Sequence, residues 1–154
     1  AGDSLALTSD AGTPVLSDPG LRVVAAARRE RLPVVALPGP FAAATAVAGS
    51  GLPGDAFVFL GFLPRAPSRR RKALSAAAAL GISIAVYESP YRIASLLETA
   101  EEVLGPSAQA ALCRELTKLH EEWLTGSVSE LRAALAKRSE PLGEFVAIFH
   151  PESR

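Results

Sequence analysis

The chain has 154 residues, with 16 basic against 16 acidic side chains, one cysteine and no methionine. Balanced charge confines any nucleic-acid contact to a local patch, and a lone cysteine excludes an internal disulfide framework. No apolar run approaches the roughly 20 residues of a membrane-spanning helix, so the expectation is a soluble, cytoplasmic protein of one domain or two small ones.

In chain order, residues 4–8 are a short apolar run that reads as a strand. The loop SDAGTPVLSDPG follows over 9–20, rich in groups that turn the chain and expose backbone N–H. Asp18 is expected to N-cap a helix over 21–30, with Pro19 at its first position. Residues 32–39 read as a second strand closed by Pro and Gly. Residues 41–51 are small and apolar all round, the mark of a helix packed very closely against something. Strand, helix, strand, helix predicts a parallel α/β sheet. GLPGDA, 51–56, breaks the pattern and sets the expected domains at 1–54 and 55–154.

The second part reads as a strand over 57–64 and a helix over 68–80 starting at Ser68. A strand over 82–89, a helix over 92–103 and strands over 108–116 and 121–128 follow. A helix from Ser127 or Ser129 to about Lys137 and a strand over 143–149 complete it, giving about five strands and three helices of mixed direction. The absence of methionine, and an opening at Ala1 that enters a strand almost at once, lead us to expect a fragment lacking its N-terminal portion.

Four stretches carry chemistry. The 9–20 loop follows a predicted parallel strand, where open α/β sheets place ligands. Gly12 and Gly20 allow close backbone approach and Asp10 can accept from a ribose hydroxyl or an amino group; the plainer reading is a pair of tight turns with a cap. Glycine-rich phosphate motifs are absent. Ala42 and Ala43, after Pro-Gly-Pro, leave room for a flat ring or thioether, or simply belong to a well-packed helix. In YESPYRI, 87–93, Glu88 is either a cleft carboxylate or the ion-pair partner of Arg92 or Arg114. Ser89 there reads as an N-cap, and Arg92 can hold a phosphate. The basic run Arg65, Arg69, Arg70, Arg71 and Lys72 sits where cations oppose a helix dipole, so it is either a solvated face or a grip on an RNA backbone. Beyond these, Lys118 or His120 faces substrate, Cys113 packs as a small apolar side chain, and His120 and His150 lack metal-site spacing.

SDAGTPVLSDPG, LPGPFAAATAVAGSGLP, GFLPR, YESPYRI and RELTKLHEE, in this order, resemble the tetrapyrrole methylase superfamily. Within it they are similar to the ribosomal RNA small-subunit methyltransferase I group, over essentially the whole chain. The resemblance implies two α/β domains of the class III methyltransferase type, with S-adenosylmethionine in the cleft between them and the first domain incomplete here. Family members carry roughly 70 to 80 further residues ahead of this point. It also implies a homodimer that methylates a cytidine ribose 2′-hydroxyl in the rRNA of the small ribosomal subunit, without a metal.

On matching positions, Asp10, Ala11, Gly12, Thr13 and Leu16 border the methionine and ribose ends of the cofactor, with Ala42 and Ala43 beside it. Tyr87, Glu88, Leu112, Cys113 and Arg114 line the adenine side, and Glu144 and Phe145 close the pocket. From the residues themselves and not from the resemblance, Arg65, Arg69, Arg70, Arg71 and Arg92 are expected to grip RNA, and Glu88 to serve as base or orienter. The alternatives are a C-methyltransferase acting on a precorrin- or uroporphyrinogen-type tetrapyrrole, and an inactive truncated binding module.

Overall fold

The computed structural model describes residues 2–138 and 143–152. The chain divides into two compact units, Ala1–Ala42 and Ala43–Arg154.

The first unit holds one complete helix, α1 (Leu21–Arg29). Its N-cap is Gly20 at φ 129°, not Asp18. Glycine alone takes that backbone freely, and its carbonyl accepts from both Val23 and Val24. The strands expected over 4–8 and 32–39, and the parallel sheet they would build, are not formed among the described residues. A strand exists only through a partner's N–H and C=O groups, and neither segment has one. Leu5 and Val35 are accordingly 94% and 81% exposed, and α1 buries none of its residues.

The second unit is built on one sheet. Strands β1 (Phe57–Phe62), β2 (Ser83–Glu88), β3 (Gln109–Arg114), β4 (Glu122–Ser127) and β5 (Phe145–His150) take the order β1-β2-β5-β3-β4. β1 and β2 are parallel and joined through helix α3 (Pro67–Ala78), as a parallel pair requires. Every other pairing is antiparallel, giving the expected mixed sheet. Helices α2 (Ala42–Ser50), α4 (Ile93–Leu104) and α5 (Val128–Ala136) complete the elements.

Three helix starts test the capping arguments. α5 opens on Ser127, whose hydroxyl accepts from the Glu130 N–H while the Glu130 carboxylate accepts from the Ser127 N–H. That reciprocal box satisfies two otherwise orphaned donors. α3 starts one residue earlier than expected, at Pro67 behind Ala66, because proline fits a first turn that needs no N–H partner. α4 is capped by Arg92 and not by Ser89. The Ser89 carbonyl is spent on the N–H groups of Arg92 and Ile93, which inserts a turn before the helix.

Side chains alternate between the two faces of the sheet. Ile84, Val86, Leu112, Phe145, Ala147 and Phe149 face α3, α4 and α5 and pack with Leu74, Leu96, Leu97 and Leu131. Each such buried aliphatic or aromatic side chain contributes about 1.5–3 kcal/mol. The other face presents Ala85, Ala111 and Cys113, all fully buried. α2 lies over this face: the Ala43 N–H donates to the Tyr87 hydroxyl on β2, and Gly49 sits against the Trp123 ring on β4. Ala43 and Ala46 are fully buried, so the small side chains let the helix axis approach closely. No helix among the described residues is long and apolar enough to cross a membrane.

Candidate functional site

Seven of the expected site residues come together at one end of this sheet. β5 runs between β2 and β3, antiparallel to both, and Phe145 pairs with Glu88 on one side and Arg114 on the other. One step inward, Val146 pairs with Tyr87 and Cys113; one further, Ala147 pairs with Val86 and Leu112. The chain leaves β2 and β3 at their C-terminal ends beside the entry of β5, where Glu144 precedes Phe145. This is the end at which open α/β sheets carry their chemistry.

Tyr87 is half-buried, and its ring meets Phe59 edge-on at 4.8 Å and Phe62 at 5.7 Å. Burial raises the phenol pKa, partly offset by the N–H of Ala43. That bond joins two expected site residues, one on α2 and one on β2. Leu112 and Cys113 are fully buried. Burial, with a smaller contribution from the Glu121 charge, pushes the Cys113 thiol up to about 12; it is a packing group and no nucleophile.

Glu88 has no exposed side-chain surface. One carboxylate oxygen accepts from the Ser89 N–H at 2.8 Å. The other lies 3.2 Å from Arg92 Nη2 but off the hydrogen-bonding axis, and accepts no hydrogen bond among the described residues. Arg92 Nη2 points instead at the carbonyls of Leu63, at 2.9 Å, and Pro64, at 3.4 Å. Arg92 therefore ties the turn after β2 to the loop after β1.

The loop between β3 and β4 is fastened in the same way. Lys118 donates to Glu115 and to Glu144, each at 2.9 Å, and the Glu144 N–H donates to the Glu115 carboxylate. The Glu144 N–H holds the Glu115 carboxyl below the usual range, and the Glu144 carboxylate raises the Lys118 pKa. Glu115 and Thr117 adopt φ of 49° and 63°, a left-handed backbone that non-glycine residues rarely take. Glu122 binds Arg138 through two hydrogen bonds of 2.7 and 2.6 Å and lies 3.6 Å from Arg114.

In the first unit, the 9–20 loop is tied to the Pro-Gly-Pro turn. Thr13 donates to the Pro40 carbonyl at 2.9 Å, and a Cβ on Gly39 would lie 2.8 Å from the Thr13 hydroxyl. The Ser9 hydroxyl closes the loop on the Gly12 carbonyl at 2.8 Å. Asp10, Ala11, Gly12, Leu16 and Ala42 are exposed. Val15 and Ser17 have φ of 77° and 58°, of order 1–3 kcal/mol of strain each.

The basic run does not act as one group. Arg70 is 7% exposed and donates to Thr99 and Ser95, both at 2.9 Å, so its guanidinium joins α3 to α4. Arg71 pairs with Glu102. Arg65, Arg69 and Lys72 are exposed and make no hydrogen bond or ion pair among the described residues. Sequence reasoning missed Phe59, Phe62 and Trp123 as parts of this region. Phe59 and Phe62 are three residues apart on β1 and would face opposite ways in a regular strand; the break in register between them, which brings both rings to Tyr87, is not visible in the sequence.

Among known proteins, residues 1–132 match the tetrapyrrole (corrin/porphyrin) methylases. The chain belongs to that family. A protein from Mesorhizobium japonicum named ribosomal RNA small subunit methyltransferase I is 45% identical to this chain, over 97% of the chain and 51% of the relative. Those from Mycobacterium tuberculosis (strain H37Rv) and Thermotoga maritima are 46% and 43% identical, over 96% of the chain and 51% and 65% of their own lengths. The chain thus spans about half to two-thirds of the curated relatives it matches.

Solved structures share the fold. The methyltransferase CobJ aligns with a TM-score of 0.65 at 17% identity, covering 91% of this chain and 62% of that one. A uroporphyrin-III C-methyl transferase from Thermus thermophilus, complexed with S-adenyl homocysteine, aligns at 0.58 and 16%, covering 90% and 62%.

Proposed function

We propose that this chain is part of an S-adenosylmethionine-dependent methyltransferase that acts on a cytidine ribose 2′-hydroxyl in small-subunit rRNA, as a cytoplasmic homodimer. The names of its relatives at 42–46% identity support the rRNA substrate. The observation that carries the reading is the row Glu88, Phe145 and Arg114 across three adjacent strand ends, with Tyr87 hydrogen-bonded to the start of α2.

The residues fit such a cofactor by their donor set. Asp10, Ala11 and Gly12 are exposed, and their N–H groups have no acceptor among the described residues. Gly12 holds a left-handed φ of 81°, a backbone that a side chain would strain. Asp10 to Thr13, Leu16, Ala42 and Ala43 would hold the methionine and ribose ends. Tyr87, Glu88, Leu112 to Arg114, Glu144 and Phe145 would frame the adenine, largely through backbone groups. S-adenosylmethionine supplies a methyl group already activated by a positive sulfur.

The protein's part is to hold the acceptor oxygen about 3–3.5 Å from that carbon and in line with it. No covalent nucleophile is required. Of the two roles open to Glu88, its burial against Ser89 and Arg92 supports the orienter: it fixes the turn that leaves β2.

Calorimetric titration with S-adenosylmethionine tests the cofactor assignment, and transfer of labelled methyl to small-subunit rRNA, mapped to a ribose oxygen, tests the substrate. Saturable binding and a 2′-O-methyl product are expected. Methyl transfer to a tetrapyrrole carbon in the same assay, or no cofactor binding by the chain or by a longer version, would overturn the reading.

A further inference from the structure

We infer that the edge of the sheet beside β1 carries a docking surface for single-stranded RNA, built from Phe62 and Tyr91 as stacking platforms and Arg65, Arg69 and Lys72 as phosphate contacts. The inference rests on the rRNA reading for its choice of nucleic acid, but its geometry stands apart from the strand-end site.

Arg92 brings the surface together. By donating to the carbonyls of Leu63 and Pro64, it fastens the turn that displays Tyr91 to the loop that follows Phe62. Tyr91 is 89% exposed and Phe62 61% exposed. Both rings are open to water, and a base stacked on either would cover it. Phe62 is also braced edge-on by Tyr87, so it presents a fixed ring. The Phe62 loop then leads directly into Arg65 and the first turns of α3.

That helix start has no acidic residue in its first turn. Arg69, in that first turn, therefore faces the positive end of the helix dipole without compensation, and a phosphate relieves it; Lys72 adds an unpaired charge one turn further on. The neighbouring cations Arg70, Arg71 and Arg92 are already engaged inside the protein. Three unengaged cations leading to two open aromatic rings form the combination that holds unpaired bases and their backbone without reading sequence. A duplex offers phosphates but hides its base faces, so it satisfies only half of this surface.

The test is fluorescence anisotropy with a labelled single strand of RNA of about 12 nucleotides, and with the same strand annealed to its complement. Wild-type chain should bind the single strand more tightly than the duplex. Tyr91→Ala should weaken single-strand binding roughly 5- to 150-fold, the range set by one lost stack, with an unchanged salt slope. Tyr91→Phe should restore it. The triple Arg65→Ala, Arg69→Ala, Lys72→Ala variant should flatten the slope of log affinity against log salt by about 2, given roughly 0.7 per phosphate contact on a single strand.

Equal affinity for duplex and single strand, or a Tyr91→Ala chain that binds as wild type, overturns the surface. So does single-strand binding that Tyr91→Phe fails to restore in a chain that keeps its native unfolding transition. Titrating the same preparations with S-adenosylmethionine separates the two readings. Cofactor binding without the Tyr91 effect removes this surface and leaves the methyltransferase, whereas the Tyr91 effect with no cofactor binding by this chain or by a longer version upholds the surface and removes the methyltransferase.

Discussion

Glu88 and Arg92 hold each other at 3.2 Å across the turn that closes β2, the carboxylate fully buried and the guanidinium spanning to the carbonyls of the next loop. Removing one member leaves the other short of a partner in a poorly solvated place. Glu88→Gln keeps an acceptor for the Ser89 N–H but loses the charge opposite Arg92, and should cost about 1–3 kcal/mol. Arg92→Ala should cost a similar amount, and the double variant less than the sum, because the two share one interaction. Urea unfolding measures all three; strict additivity would show that the pair is uncoupled.

Adjacent arginines on α3 should behave oppositely. Arg70→Ala removes a buried hydrogen bond to Thr99 and a partly buried one to Ser95, and should destabilise by about 1–3 kcal/mol. Arg69→Ala, on the exposed side, should stay within about 0.5 kcal/mol of wild type. Equal effects in chemical denaturation would contradict the placement of the Arg70 guanidinium between α3 and α4.

Replacing glycine by alanine inside a helix ordinarily stabilises it by about 0.5–1 kcal/mol. Gly49 should be an exception, since a Cβ there would stand 2.5 Å from the Trp123 ring. Gly49→Ala must push α2 off the sheet or rotate the indole, a change of about 1–3 kcal/mol in the unfavourable direction. Trp123 is the single tryptophan, so a shift in its emission maximum reports the displacement directly.

The buried Cys113 sets a dependence on alkaline pH. Its folded pKa, about 12, lies above the unfolded value of 9.0. Stability from keeping the thiol neutral is complete below the unfolded value and lost as pH rises towards the folded one. A Cys113→Ala chain should therefore lose stability less steeply than wild type between about pH 9 and 11. At about pH 8 the native thiol should resist iodoacetamide and react only after unfolding. Rapid alkylation of the folded chain would show the thiol to be accessible.

Some of what the residues announced locally was delivered by the fold, although the caps read at Asp18 and Ser89 fell instead on Gly20 and Arg92. Ser127 and Glu130 at capping-box spacing mark the start of α5, and the alanine run of α2 signals a helix with no room above its partner. The five strands of the second unit follow from apolar runs between turn residues. Non-local facts were harder to see. Residues 4–8 and 32–39 have strand-like composition, yet pairing depends on a partner that composition does not name. The basic run looked uniform, although Arg70, Leu74 and Ala77 share one buried face at helical spacing, and that phase was there to be read. For the candidate site, the approach of Glu88, Arg114 and Phe145 depended on β5 entering between β2 and β3, which no short window of sequence contains.

That placement of β5 also bears on how the chain is made. The two flanking pairs, β1 with β2 and β3 with β4, can each form as soon as their own residues have been synthesised. They share no rung until the strand ending at His150 arrives to bridge them. A nascent chain must therefore wait with both inner edges open, and joining the halves late, over a long loop closure, is intrinsically slow. During that interval the edges of β2 and β3 are what a chaperone has to shield from other emerging chains.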